Sequence, residues 1–205
     1  MNLKDSLFNI HLGEQETPYP GSLLIAEPFL AEPYFNHSVI LMLEGDGGEN
    51  ESMGIVLNIN SHNTLQSLIK GIEAEAPIDV YCGGPVGLDR LYFLHTLGDL
   101  IENSQEVGST GLYVGGNFES IINYINSGYP VEGNLRFFVG YSGWSQGQLN
   151  EELSQNVWAV ANPRDVGTVS DLLTGEENYY WHRTINALGE KYRWWRMFPK
   201  DITSN

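Results

Sequence analysis

Cations are scarce in this sequence. Among 205 residues, Lys and Arg number 10 against 26 Asp and Glu, giving a net charge of −16 and a pI of about 4.5. Nucleic-acid affinity comes mainly from cations that displace counterions along phosphates, so a chain this acidic repels that backbone on average. Nucleic acid is therefore not an expected partner. Cysteine is nearly absent too. Cys82 stands alone, which excludes an internal disulfide and removes any sign of an oxidising compartment. Long apolar runs are missing: SVILML and LRFFV fall far short of a membrane span. The opening MNLKDSLFNIHLGEQETPYPG has no long apolar stretch and is interrupted by acids, unlike an ordinary signal peptide. The expected location is the cytoplasm, with no membrane contact. Clustered metal ligands are lacking as well. The five histidines, His11, His37, His62, His95 and His182, include no close pair. The acids Glu44, Asp46, Glu49 and Glu51 miss the spacing of a calcium loop. No metal and no cofactor are expected.

Turn formers are plentiful, with 23 glycines and 9 prolines. Short β-branched segments bounded by Gly, Pro or Asn read as strands: SLLIAE (22–27), SVILMLE (38–44), GIVLNI (54–59), PIDVYCGG (77–84), RLYFLHTL (90–97), LRFFVGY (135–141) and VWAVAN (157–162), with LYVGG (112–116) as a shorter one. The acidic turn GDGGENES joins the second and third as a hairpin. In TLQSLIKGIEA, Leu65, Leu68, Ile69 and Ile72 make a helical stripe. Asn117 caps a second helix whose stripe is Phe118, Ile121, Ile122 and Ile125, ended by Gly128. A short helix is expected from about Leu149, another behind Asn162 with Pro163 in its first position, and a last one from Tyr179 to Leu188, stopped by Gly189. Helices are interspersed without regular βαβ alternation. The expected fold is α+β: a single domain over 1–205, with a mixed, bent sheet flanked by helices. Residues 1–20 read as an N-terminal extension and 176–205 as an aromatic C-terminal segment.

The stretch GWSQG (143–147) matches the G-x-S-x-G turn that holds a nucleophilic serine in some hydrolases. Ser145 would need a base and an orienting acid, and His182 with Asp165 or Asp171 could supply them. The alternative is a glycine-rich turn with an exposed serine. CGGPVGLDRLYFLH (82–95) offers Gly83 and Gly84, whose N–H groups could meet an anion beside Pro85, and Arg90, a potential fork for carboxylate or phosphate. Alternatively the Gly-Gly-Pro run only fixes a turn, with Arg90 paired to Asp89 or Glu27. His95 could act as a base with Cys82 as its nucleophile, or be a hydrogen-bonded structural histidine beside a buried thiol. The C-terminal cations Arg183, Lys191, Arg193, Arg196 and Lys200 form a local basic cluster or a solvated tail. The aromatics Trp181, Trp194, Trp195, Tyr179, Tyr180, Tyr192 and Phe198 pack onto the domain or anchor a partner.

Taken in order, GSLLIAEPFLAEPYFNHSVILMLE, MGIVLN, GGPVGLDRLYFLH and GYSGWSQGQLNEEL resemble the successive motifs of the AlgH/YqgE family, from Gly21 to about Trp158. The family's G-Y-x-x-W-x-x-G-Q-L pattern is matched by Gly140, Tyr141, Trp144, Gly147, Gln148 and Leu149, and Ser145 is not part of it. The chain departs from the family at Glu44-Gly45-Asp46, where Glu-His is frequent, and at Asn58-Ile59-Asn60, where Asn-Lys-Pro is frequent. The resemblance implies a cytosolic α+β protein built on a pseudo-barrel-like sheet, with a regulatory role attached to some members. The expectation is a non-enzymatic binding or regulatory protein, its partner a protein or a small anionic ligand. Its expected surface is Gly83, Gly84, Pro85, Arg90, His95, Tyr141, Trp144 and Gln148. A serine hydrolase is the alternative, and a direct DNA-binding regulator a weaker one.

Overall fold

Strands such as LLIA and VILM have no polar side, so both of their faces must be covered. The computed structural model, which describes residues 16–48, 50–175 and 177–197, meets that demand with a curled sheet packed on both faces. Its strands are β1 (Leu23–Ala26), β2 (Val39–Glu44), β3 (Ser52–Val56), β4 (Asn60–Thr64), β5 (Asp79–Cys82), β6 (Val86–His95), β7 (Gln105–Glu106), β8 (Tyr113–Val114), β9 (Leu135–Trp144) and β10 (Trp158–Ala161). Its helices are α1 (Leu65–Leu68), α2 (Phe118–Asn126), α3 (Gln148–Ser154), α4 (Pro163–Val166), α5 (Val169–Leu172) and α6 (Glu177–Ala187). The sheet order is β10-β1-β2-β3-β9-β6-β8-β7, and β5 joins β9 and β4 off that path. The pairings are antiparallel except β5 with β9, so the sheet is mixed, as expected.

Alternation sorts the side chains into layers. Leu23 and Ile25 of β1, with Val39 and Leu41 of β2, enter one core, which α6 covers with Tyr180, Trp181 and Ile185. Leu24, Ala26, Ile40 and Met42 point the other way, where α3 covers them with Leu149 and Leu153. A third core forms under α2, from Ile121, Ile125, Phe137 and Phe93.

The bend lies in β9. Its first half pairs with β5 and β6, and its last residues pair with β3. The hinge is Gly140, at φ +71. Here two backbones cross without side chains between them. A Cβ on Gly140 would lie 2.5 Å from the Gly84 carbonyl oxygen, and one on Gly83 would lie 2.3 Å from that of Gly140. Only glycine permits such an approach.

Several expectations need correction. The helix read over the stripe to Ile72 stops at Leu68. Ile69 turns extended, at φ −126 and ψ 129, and Gly71 sits at φ +86. Polar β4 and two-residue β7 carry no apolar alternation and were not foreseen. β6 starts earlier than Arg90, and β9 runs on to Trp144. Two caps are as read: the Asn117 side chain accepts from the Ser120 N–H, and Pro163 follows Asn162. The helix behind Pro163 stops at Val166 and a separate turn, α5, follows it, and the last helix runs from Glu177 to Ala187 rather than from Tyr179 to Leu188. His11, Glu49, Glu176, Phe198 and Lys200 lie outside the described residues. No helix among the described residues is long and apolar enough to cross a membrane.

Candidate functional site

The motif end of β9 is organised by one carboxylate. Glu152 Oε2 accepts from both indoles, Trp144 Nε1 at 2.8 Å and Trp158 Nε1 at 2.7 Å. Glu152 Oε1 accepts from Gln148 Nε2 at 2.9 Å, and Gln148 Oε1 accepts the Ser145 N–H at 3.1 Å. The i to i+4 spacing of Gln148 and Glu152 on α3 makes this reach possible. Trp144 is only 5% exposed. Trp144 and Gln148 therefore latch α3 to the strand end, Trp144 buried and Gln148 from the exposed side.

Gly83 and Gly84 are buried. The Gly83 N–H donates to the Val139 carbonyl at 2.8 Å, so it is not presented to an anion. Opposite Gly140, residues 87–90 bulge out between the pairs Val86–Tyr141 and Leu91–Val139. That bulge leaves Pro85 and Arg90 exposed, with Tyr141 half-buried beside them. Neither Asp89 nor Glu27 forms an ion pair with Arg90 among the described residues.

His95 lies at the other end of β9, paired with Leu135, about 20 Å of strand away from Tyr141. It is fully buried. Its Nδ1 accepts the Leu97 N–H at 3.2 Å, so Nε2 carries the proton that meets the Gly115 carbonyl at 3.1 Å. Burial lowers its pKa from the ordinary histidine value, and the Gly115 bond offsets part of the effect. Cys82 pairs with Val139, four residues along β9 from Leu135, so the two do not meet as nucleophile and base. Burial raises the pKa of its thiol, and the contact with the Gly84 carbonyl lowers it slightly.

Ser145 is exposed just beyond β9, where α3 begins. Its backbone is not strained: the non-glycine residues at positive φ among those described are His37, His62, Asn103 and Asn156. The α3 helix covers one face of the sheet, and α6, which carries His182, covers the other. The His182 ring lies against Trp181, 5.1 Å between centroids. Asp171 caps α5 through Thr168. The parts of a hydrolase triad are therefore held apart by the sheet.

The C-terminal aromatics divide. Tyr180, Trp181, Tyr192 and Trp195 are buried in the first core, and Tyr179 and Trp194 are exposed. The basic cluster is largely internal in its contacts. Arg183 donates to the Asp171 carbonyl at 2.7 Å, and Arg196 to that of Gly189. Lys191 and Arg193 sit over the rings of Tyr192 and Trp194. Among the described residues no group of three His, Cys, Asp or Glu side chains is placed to hold a metal ion.

One site carries no motif. Arg136 sits in β9 between Leu135 and Phe137 and is 5% exposed. Its Nη1 donates to the Leu57 carbonyl at 2.9 Å and its Nη2 to that of Gly175 at 3.0 Å. The guanidinium carbon lies 3.8 Å from the centroid of the Tyr81 ring. No carboxylate among the described residues pairs with it. Burial lowers the guanidinium pKa, Tyr81 and Tyr180 raise it, and Arg183 adds to the lowering. Two carbonyls use two of its five N–H donors. Arg136 lines a cleft of about 670 Å³ between the 74–79 loop, the end of α2, and residues 173–175. Ile78, Ile125, Leu135 and Leu173 are its buried lining, and Glu75, Asp79, Tyr129 and Glu132 are exposed at its rim. A charged residue inside the apolar run LRFF was the available signal, since arginine is almost never buried without a partner.

A family model described as AlgH-like matches residues 23–193. The chain belongs to the AlgH-like family. The match extends beyond Trp158 into the aromatic C-terminal segment. A UPF0301 protein of Parabacteroides distasonis is 40% identical over 185 residues, 90% of each chain. One of Bacteroides thetaiotaomicron is 37% identical over the whole of both chains. The solution structure of AlgH from Pseudomonas aeruginosa has a TM-score of 0.62 at 28% identity, over 87% of this AlgH-like chain and 94% of that one. A crystal structure from Corynebacterium diphtheriae shares the fold, with a TM-score of 0.72 at 21% identity, over 95% and 99%. These matches bear out the resemblance read from the motifs and the single α+β domain built on a curled sheet.

Proposed function

We propose that this AlgH-like protein is a non-enzymatic binding protein of the cytoplasm. Its ligand is a small molecule with an anionic group, which seats in the Arg136 cleft. The observation that carries the reading is a buried guanidinium without a carboxylate partner among the described residues, lining a cleft of about 670 Å³. That volume falls in the range of small-molecule sites, about 300–1,000 Å³. A desolvated, unbalanced cation gains most from a bidentate anion. Arg183 reinforces the local positive potential, since its charge acts on Arg136. Nucleic acid fits poorly, because the chain carries −16 and the exposed rim is acidic.

The test is an NMR titration of the folded protein with small carboxylates, with Arg136→Lys as control. Wild-type shifts are expected at Tyr81, Arg136 and Gly175, with none at Trp144 or Gln148. Arg136→Lys keeps the charge and loses the fork, and is expected to weaken binding by about tenfold. Equal binding by a folded Arg136→Lys overturns the reading.

A second reading rests on the bulge at residues 87–90. Val86 and Leu88 are 40% and 52% exposed beside Arg90. Apolar side chains next to an arginine that has no ion pair among the described residues suit a protein partner. Capture of the same partner by wild type and by Leu88→Ser, Arg90→Ala would remove it.

A further inference from the structure

The cleft is charged at both depths, with opposite signs. Arg136, the deep cation, is 5% exposed. At the rim, Glu75, Asp79 and Glu132 are exposed, and Arg136 is the only cation among the described lining residues. None of the three rim acids pairs with Arg136, whose hydrogen bonds among the described residues go to the Leu57 and Gly175 carbonyls. The rim and the floor are therefore separate electrostatic regions rather than one ion pair. A simple dianion such as phosphate must pass three carboxylates to reach the floor, within a molecule of net charge −16. A ligand with a cation at its trailing end passes the same rim with a gain.

The walls add two demands. Ile78, Ile125 and Leu135 make the middle of the cleft apolar, and Tyr129 at the mouth is 59% exposed. A free α-amino acid holds its ammonium beside its carboxylate, so its cation would be drawn down toward Arg136, where like charges oppose. A ligand whose two charges are separated by several bonds avoids that conflict, and about 670 Å³ leaves room for the separation.

Resting on the reading of this cleft as an anion site, we infer that its ligand is a short peptide with free termini. The carboxylate forks onto Arg136, the side chains lie along the apolar middle, and the amine meets Glu75, Asp79 and Glu132 at the rim. This goes beyond anion binding by fixing the ligand's second charge and its orientation.

The test uses the full chain and three probes: tri-alanine, its N-acetyl form and its C-terminal amide. It compares wild type, Arg136→Lys and the rim variant Glu75→Gln, Asp79→Asn, Glu132→Gln. The rim residues are exposed, so that variant is expected to fold, and circular dichroism checks it. Wild type is expected to bind tri-alanine about fivefold more tightly than the N-acetyl form. The rim variant is expected to bind the two alike, and the amide to lose about tenfold on wild type. If the N-acetyl form binds wild type as tightly as the free peptide, the inference fails while the anion site stands. If the amide binds as tightly as the free peptide, the anion site fails as well. Absence of saturable binding of all three probes up to about 10 mM overturns both.

Discussion

The two ends of β9 hold a charged side chain in opposite ways, half-buried Glu152 at one and buried Arg136 at the other. At the Trp144 end, Glu152 is surrounded by donors: two indoles and the Gln148 amide all point at one carboxylate. At the Arg136 end, a guanidinium has two carbonyls and a ring, and no opposing charge among the described residues. The first arrangement is closed: its partners are all supplied by the chain. The second is open to a cleft. A satisfied network builds structure, whereas an unsatisfied buried charge is costly unless something completes it. The recognisable motif marks the closed end, and the open end has no motif.

The largest effect is expected where β9 crosses the 83–84 turn. A Cβ on Gly84 would lie 2.3 Å from the Tyr141 backbone, and Gly84 has φ +147. Neither backbone can yield cheaply. Gly84→Ala is expected to destabilise the fold by about 3 kcal/mol or more, read from urea denaturation. A near-native midpoint would show that the crossing is loose, and that these glycines are not needed for close approach.

Next comes the closed network itself. Glu152→Ala strands the Trp144 and Trp158 N–H groups together, a loss of about 2–3 kcal/mol. It is expected to leave ligand binding at Arg136 unchanged. Arg136→Lys should do the reverse, with a loss of about 1–2 kcal/mol in stability from weakened carbonyl bonds and the larger effect on affinity. If both variants changed affinity equally, the distinction between the closed and open ends would fail.

A smaller effect separates the ends by pH. Burial holds the pKa of His95 below the ordinary value, chiefly through desolvation. The unfolded chain titrates there at about 6.5. Just below that pH the unfolded state binds the proton and the folded state does not, so stability falls with acidification. His95 contributes fully above the unfolded value, and its contribution is lost as pH falls through the depressed folded value. Between about pH 7.5 and 5.5, wild type is expected to lose more of its urea midpoint than His95→Gln. Parallel curves would mean that His95 is not held neutral by its surroundings.

Much of the fold was legible because its signals are local. Asn117 capping α2, Pro163 behind Asn162 and the alternation in β1 and β2 each act within a few residues. The stripe through Ile72 misled for the same reason: its apolar periodicity is real, but Ile69 and Ile72 reach their core from a turn past a one-turn helix. Polar β4 is held by pairing to β5, which no local pattern records. The candidate surface was partly legible as chemistry and poorly legible as placement. Trp144 was expected on a surface and turns inward, because its indole reaches Glu152 on α3, whereas Gln148 stays exposed and bonds the same carboxylate. Arg136 was passed over because its partners, Leu57, Gly175 and Tyr81, are scattered along the chain.

The smallest expected effect concerns Ser145. Its side chain is exposed, and its bond to Gln148 uses the backbone N–H, which alanine keeps. Ser145→Ala is therefore expected to shift stability by no more than about 0.5 kcal/mol. It should also leave peptide binding as in wild type, since Ser145 lies outside the Arg136 cleft. A fluorophosphonate probe is expected to leave Ser145 unlabelled, because His182 is carried by the helix on the other face of the sheet. A covalent adduct on Ser145, lost in Ser145→Ala, would reverse the contrast between the two ends of β9. The closed end would then hold a reactive centre, and the latch of Trp144, Gln148 and Glu152 would be its support.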